Sequence, residues 1–128
     1  MARILLVDDY DDIRWLLRDL LVSEGHDVLT ARDGVDGLEK FDPDLVDLVL
    51  TDMNMPNMNG PQLIEAIHAR APQTPINGMT GGLIPDLLEL ERQRLNIQGF
   101  FSKPMDLREL RSTIQTLLDR QPLAPHAA

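Results

Sequence analysis

Ile4-Leu5-Leu6-Val7-Asp8-Asp9 is a four-residue apolar run that ends on two carboxylates, and the pattern returns twice farther along the chain. Leu48-Val49-Leu50-Thr51 runs into Asp52, and Ile97-Gln98-Gly99-Phe100-Phe101-Ser102 runs into Lys103-Pro104. A short apolar run bounded by polar or turn residues reads as a buried strand. In an open α/β sheet, ligands collect just beyond the carboxyl ends of the strands. Asp8, Asp9, Asp52 and Lys103 are therefore expected to converge on one edge of one sheet, in a shallow site.

Between these runs the apolar spacing switches to that of helices. Ile13, Leu16, Leu17, Leu20 and Leu21 share one helical face. Gly25 breaks that pattern, and residues 26–30 read as a second strand. Asp33-Gly34 opens a short helix to about Phe41, stopped by Pro43, and residues 47–51 form the third strand. Residues 57–60 read as a turn, and a helix carrying Leu63, Ile64 and Ile67 ends before Pro72. Residues 76–79 are the fourth strand and 97–101 the fifth. A last helix opens at Asp106, with Glu109 three residues on as a capping box. Residues 81–96 resist assignment: Leu83, Leu87, Leu88 and Leu90 suggest a helix, while Gly81-Gly82 and Pro85 loosen its start. The Pro- and Ala-rich stretch 121–128 reads as a flexible tail.

Five βα units with short links predict an α/β fold, with a parallel sheet, helices on both faces and right-handed crossovers. The length of 128 residues suits one domain, over about residues 1–120. The formal charge of −9 argues against direct binding to nucleic acid or an anionic membrane. With no cysteine, disulfide and thiolate chemistry are excluded. Met1-Ala2-Arg3 followed by four apolar residues is too short for a signal peptide or a span, so a cytoplasmic location is expected.

Three carboxylates held together repel, and a hard divalent cation resolves that conflict. Mg²⁺ prefers a few carboxylate oxygens together with phosphate oxygens, and Lys103 adds a point positive charge suited to a phosphoryl oxygen. A carboxylate in that setting can accept a phosphoryl group as an acyl phosphate.

The chain resembles the receiver domain of two-component response regulators over about residues 3–119. The motifs that carry the resemblance are Ile4-Leu5-Leu6-Val7-Asp8-Asp9, then Leu50-Thr51-Asp52-Met53-Asn54-Met55-Pro56 with Gly60, then Met79-Thr80, then Lys103-Pro104. The resemblance implies a flavodoxin-like, doubly wound five-stranded sheet of order 2-1-3-4-5. It implies a phosphoprotein switch, a stand-alone single-domain member, that catalyses only its own aspartyl phosphorylation and dephosphorylation. Asp52 would be the phosphoacceptor. Asp8, Asp9, Asp52 and the backbone carbonyl of Asn54 would hold Mg²⁺, for which Mn²⁺ could substitute. Thr80 would be the switch hydroxyl, Lys103 its charged companion, Phe100 the aromatic switch position and Pro104 a cis-peptide proline. Phe100 lacks a hydroxyl, so any switching there must act by packing. The implied phosphodonor is a sensor histidine kinase or histidine phosphotransfer protein, acting on a monomer or weak dimer whose downstream target is a protein.

Three features depart from that pattern or compete with it. Ile76-Asn77-Gly78-Met79 is polar and flexible for a central strand, and Thr80-Gly81-Gly82 is rich in glycine. Asp9-Tyr10-Asp11 faintly matches the Asp-x-Asp nucleophile of haloacid-dehalogenase phosphatases, but Ile13 stands where Thr or Val is expected. A receiver cut from a longer regulator or hybrid kinase, and a degenerate receiver used as a scaffold, are the remaining alternatives. Met53, Met55, Met58 and Met79 read as packing and turn residues, Trp15 as a half-exposed reporter of the acidic pocket, and His26, His68 and His126 as solvated.

Overall fold

A computed structural model describes residues 2–81, 85–103 and 106–119. The strands are β1 (Arg3–Val7), β2 (Asp27–Ala31), β3 (Leu48–Asp52), β4 (Ile76–Thr80) and β5 (Gly99–Ser102). The helices are α1 (Asp11–Ser23), α2 (Gly34–Lys40), α3 (Gly60–Arg70), α4 (Pro85–Leu95) and α5 (Leu107–Asp119). The sheet is parallel with strand order β2-β1-β3-β4-β5, as expected.

Side chains alternate across a strand, so β1 feeds two cores. Leu5 and Val7 join Val49, Ile76 and the α3 residues Leu63, Ile64 and Ile67 on one face. Ile4 and Leu6 join Leu48, Leu50, Met79 and the helical residues Leu17, Leu21, Leu110 and Ile114 on the other. Every residue of β3 and β4 is buried, which accounts for the apolar run Leu48-Val49-Leu50 in β3, while β4 is buried although it carries Asn77 and Gly78.

Local chemistry sets the helix ends. Asp33 caps α2 by accepting the Asp36 N–H at 2.8 Å. Asn59 and Gln62 form a reciprocal capping box at α3, each side chain accepting the other's N–H at 2.9 Å. Residues 57–60 were expected only as a turn, so this cap is a finding of the structure. Asp106 accepts the Arg108 and Glu109 N–H groups at 2.9 and 3.4 Å, the expected start of α5.

The expected strand limits shift toward the carboxyl ends. β2 reaches Ala31, which pairs with Val7, and β3 and β4 reach Asp52 and Thr80, because the ladder continues under polar residues that are themselves buried. β5 starts at Gly99 because Asn96 takes a left-handed φ of 56° and the Ile97 N–H returns to the Arg92 carbonyl. Ile97 thus closes α4 and makes no ladder bond at that N–H. The unassigned segment is helical from Pro85, while Gly82, Leu83 and Ile84 lie outside the described residues, as do Pro104 and residues 120–128. Leu87 and Leu90 are exposed, and Leu95 is the buried leucine of α4.

Met53 and Met79 are core residues, and Met55 and Met58 pack against the core, in line with a packing role. His26 and His68 are half-buried instead of solvated, and burial lowers both imidazole pKa values. The Ala2 N–H donates to His26 Nδ1 at 3.3 Å.

Asn77 is the unusual polar residue of β4. It is 2% exposed, lies over Gly99 of β5, and its Oδ1 has no hydrogen-bond partner among the described residues. A buried acceptor without a partner costs about 1–3 kcal/mol. Asn77→Val is therefore expected to raise stability by roughly 1 kcal/mol, measured as a higher urea midpoint at unchanged m-value. A lower midpoint would show that the amide is satisfied in solution.

Candidate functional site

The carboxyl ends of β1, β3 and β5 bring Asp8, Asp9, Asp52 and Lys103 together. One carboxylate oxygen from each aspartate lies within 4.8 Å of the others. Asp8 and Asp52 are almost fully buried, and Asp9 is half-buried. Lys103 Nζ stands 3.4 Å from Asp8 Oδ2 and 3.3 Å from Asp52 Oδ2. One ammonium therefore pairs with two of the three clustered carboxylates, which leaves carboxylates in excess over cations in the pocket.

Burial is the largest cause raising the Asp52 pKa above the ordinary aspartate value. Lys103 and the Asn54 N–H, 3.4 Å from Oδ1, pull it back, while the Asp8 charge and the Asp9 carboxyl push it further up. The raised value has a definite pH consequence. The folded chain binds this proton more tightly than the unfolded chain, so the group costs stability as pH rises from about 4 through the folded pKa. Asp33 acts in the opposite sense: the Asp36 N–H and the Asn57 amide lower its pKa. Its stabilising share is present above the ordinary aspartate value and is lost as pH falls through the lowered one. In the metal-free state, the Tm of the wild type is thus expected to fall relative to that of Asp52→Asn as pH rises from about 4 through the folded Asp52 pKa, while the opposing shares of His26 and His68 are common to both chains. A wild-type Tm that climbs relative to the variant over that span would contradict the assigned burial cost.

The donor set fits a hard cation. Asp9 Oδ1 is buried with no hydrogen-bond partner among the described residues, a costly arrangement for a carboxylate oxygen unless something positive meets it. Three carboxylate oxygens are the ligand type that Mg²⁺ takes. Asn54 lies two residues past the β3 end, and its N–H donates to Asp52 Oδ1 at 3.4 Å. Gly60 lets α3 pack against this turn: a Cβ there would lie 2.6 Å from the Asp52 carbonyl and from Met53 Cα. The turn is also tied to α2, with Asn57, at φ 68°, donating to Asp33 Oδ2 at 2.9 Å.

Thr80 is buried at the end of β4, and its carbonyl accepts the Lys103 N–H at 2.7 Å. It opens onto a cleft of about 270 Å³ lined also by Met53, Asn54, Gly81, Glu91 and Phe100. Phe100 is half-buried on the wall of that cleft.

Two residues of the site escaped the sequence reading. Arg14 of α1 is buried, donates from Nη1 to the Asp8 carbonyl at 2.8 Å and pairs with Asp11. It braces the main chain of the acidic corner from behind. Tyr10 gives its N–H to Asp8 Oδ1 at 2.9 Å, and its ring centroid lies 5.7 Å from Lys103 Nζ. The available signal was helical spacing: Arg14 sits three residues after Asp11, between Ile13 and Leu17.

Residues 4–115 match the family described as "Response regulator receiver domain". The Sensor histidine kinase RcsC of Salmonella typhi is 38% identical over 120 residues, which are 91% of this chain and 12% of that protein. The chain therefore spans about an eighth of that relative's length. A response regulator receiver domain protein from Clostridium thermocellum superposes with a TM-score of 0.86 at 29% identity, covering 94% of this chain and 96% of the other. The Vibrio cholerae chemotaxis protein CheY4 gives 0.84 at 32% identity, covering 92% and 99%. No helix among the described residues is long and apolar enough to cross a membrane.

Proposed function

The chain belongs to the response regulator receiver domain family, a family of signalling switches, and on that footing we propose that Asp52 is its phosphoacceptor. The observation that carries this reading is the convergence of Asp8, Asp9 and Asp52 within 4.8 Å, beside Lys103. Asp8, Asp9, Asp52 and the Asn54 carbonyl would hold Mg²⁺, or Mn²⁺ in its place. When bound, the cation offsets the charge of the phosphoryl oxygens.

The chain's own residues do the rest. An Asp52 carboxylate oxygen attacks the phosphorus of a phosphohistidine. The P–N bond breaks, an acyl phosphate forms, and the imidazole leaves with the electron pair. Lys103, already 3.3 Å from Asp52, exchanges a carboxylate partner for a phosphoryl oxygen. Arg14 and Tyr10 keep Asp8 in place while charge is redistributed. The new phosphoryl charge, about −2, favours a hydrogen bond from the Thr80 hydroxyl. Phe100 shares Thr80's cleft and acts through packing. Water attack on the acyl phosphate returns Asp52 and inorganic phosphate. The resulting population shift is read by a protein target at the α4, β5 and α5 face.

A sensor histidine kinase or histidine phosphotransfer protein is the proposed donor, in keeping with the kinase relative. That relative's greater length also supports a second reading, in which these residues are the receiver portion of a longer regulator or hybrid kinase. Purified histidine donors carrying labelled phosphoryl groups test the donor class. Label moving onto this chain in Mg²⁺, with no steady turnover of p-nitrophenyl phosphate, is the expected result. Steady ester turnover without a labelled chain would replace the switch by a phosphatase.

A further inference from the structure

Gly78 is unusual in a fully buried central strand, and the structure supplies a reason for it. The β4–β5 register sets Gly78 opposite Phe100. A Cβ on Gly78 would lie 2.6 Å from both Cδ1 and Cε1 of Phe100 and 2.9 Å from Met53 Sδ. The phenyl ring and the thioether therefore occupy the space that a side chain at this position would fill. Gly78 and Thr80 are two residues apart and share a face of β4. Phe100 and Thr80 line the same cleft. If the ring swung outward it would leave a void over Gly78, with no side chain there to refill it, and the lining atoms would lose their contacts.

We propose that Gly78 is a positioning residue, a seat that holds the Phe100 ring inward before any phosphoryl transfer. The aromatic then stays in place when Asp52 gains charge, and Thr80 with Gly81 carries the response. The second half of this proposal rests on the phosphoacceptor reading; the seat itself does not. A methyl group at position 78 would occupy the seat and move the ring toward the cleft, shifting a population instead of breaking a bond.

Fluorinated phenylalanine in the whole chain gives three ¹⁹F reporters, Phe41, Phe100 and Phe101, with Phe100 assigned through Phe100→Leu. At rest, Gly78→Ala is expected to displace the Phe100 resonance. Gly81→Ala, whose new Cβ would lie 3.7 Å from Lys103 Cβ, an ordinary van der Waals contact, is expected to leave it in place. Adding Phe100→Leu to Gly78→Ala should restore the urea midpoint lost in the single variant. With Mg²⁺ and acetyl phosphate, the wild-type Phe100 resonance should move less than it does on Gly78→Ala. An unmoved resonance in Gly78→Ala, or an equally large displacement in phosphorylated wild type, overturns the proposal. If Gly78→Ala alone does not fold, folding of the double variant supports the seat and failure of both overturns it. Intact mass on the same samples separates the two claims. A missing Asp52 adduct contradicts the phosphoacceptor reading, while the resting comparison still decides the seat.

Discussion

Asp52→Asn is expected to abolish phosphoryl uptake and, at the same time, to make the metal-free chain more stable. Asparagine keeps the shape of the side chain and an acceptor for the Asn54 N–H. It removes one of three crowded negative charges, the one whose carboxyl is buried and raised in pKa. The gain should be roughly 1 kcal/mol, the ordinary scale of a single substitution, read as a higher urea midpoint at neutral pH in a chelator. Saturating Mg²⁺ should reverse the ranking, because a ligand stabilises the state that binds it in proportion to its affinity. Intact mass after acetyl phosphate should show one phosphoryl group on the wild type and none on the variant. A variant less stable than wild type in chelator would mean that Lys103 more than compensates the three carboxylates.

Asp9→Asn is the second large effect. Among the described residues, Asp9 Oδ1 is the buried carboxylate oxygen without a hydrogen-bond partner, so its charge is the one least supported by the protein. Removing that charge should weaken Mg²⁺ binding at least ~10-fold, equivalent to about 1.4 kcal/mol. Trp15 can report it. It is the only tryptophan, it is 49% exposed, and the Arg14 guanidinium lies 5.5 Å from its ring centroid. Arg14 also holds the Asp8 carbonyl, so a change at the acidic corner reaches the indole through one side chain. Titration of Trp15 fluorescence with Mg²⁺, without any phosphodonor, measures the affinity directly. An unchanged dissociation constant would remove Asp9 from the ligand set.

The acidic pocket was legible because its residues sit at strand ends, where local pattern and sheet geometry agree. Ile4 to Val7 reads as a buried strand, and that reading puts Asp8-Asp9 at its end. Strand limits were less legible. Asp52 and Thr80 continue the ladder although they are polar, and hydrophobicity does not record backbone pairing. The start of α4 was hard to read, because two glycines precede it and a proline opens it, and Leu87 and Leu90 face solvent instead of core. Arg14 and Tyr10 act through a helix start and a cation–ring approach that need three-dimensional placement. Gly78 looked like a defect in a strand. Its reason lies across the sheet, in the ring of Phe100, which no local pattern contains.

The most direct test is intact-mass measurement of the wild-type chain after incubation with acetyl phosphate, with Mg²⁺ or with chelator, followed by peptide mapping. One Mg²⁺-dependent phosphoryl group on Asp52 is the predicted result. An adduct on another residue, an adduct that persists in chelator, or no adduct from either acetyl phosphate or the histidine donors would contradict it.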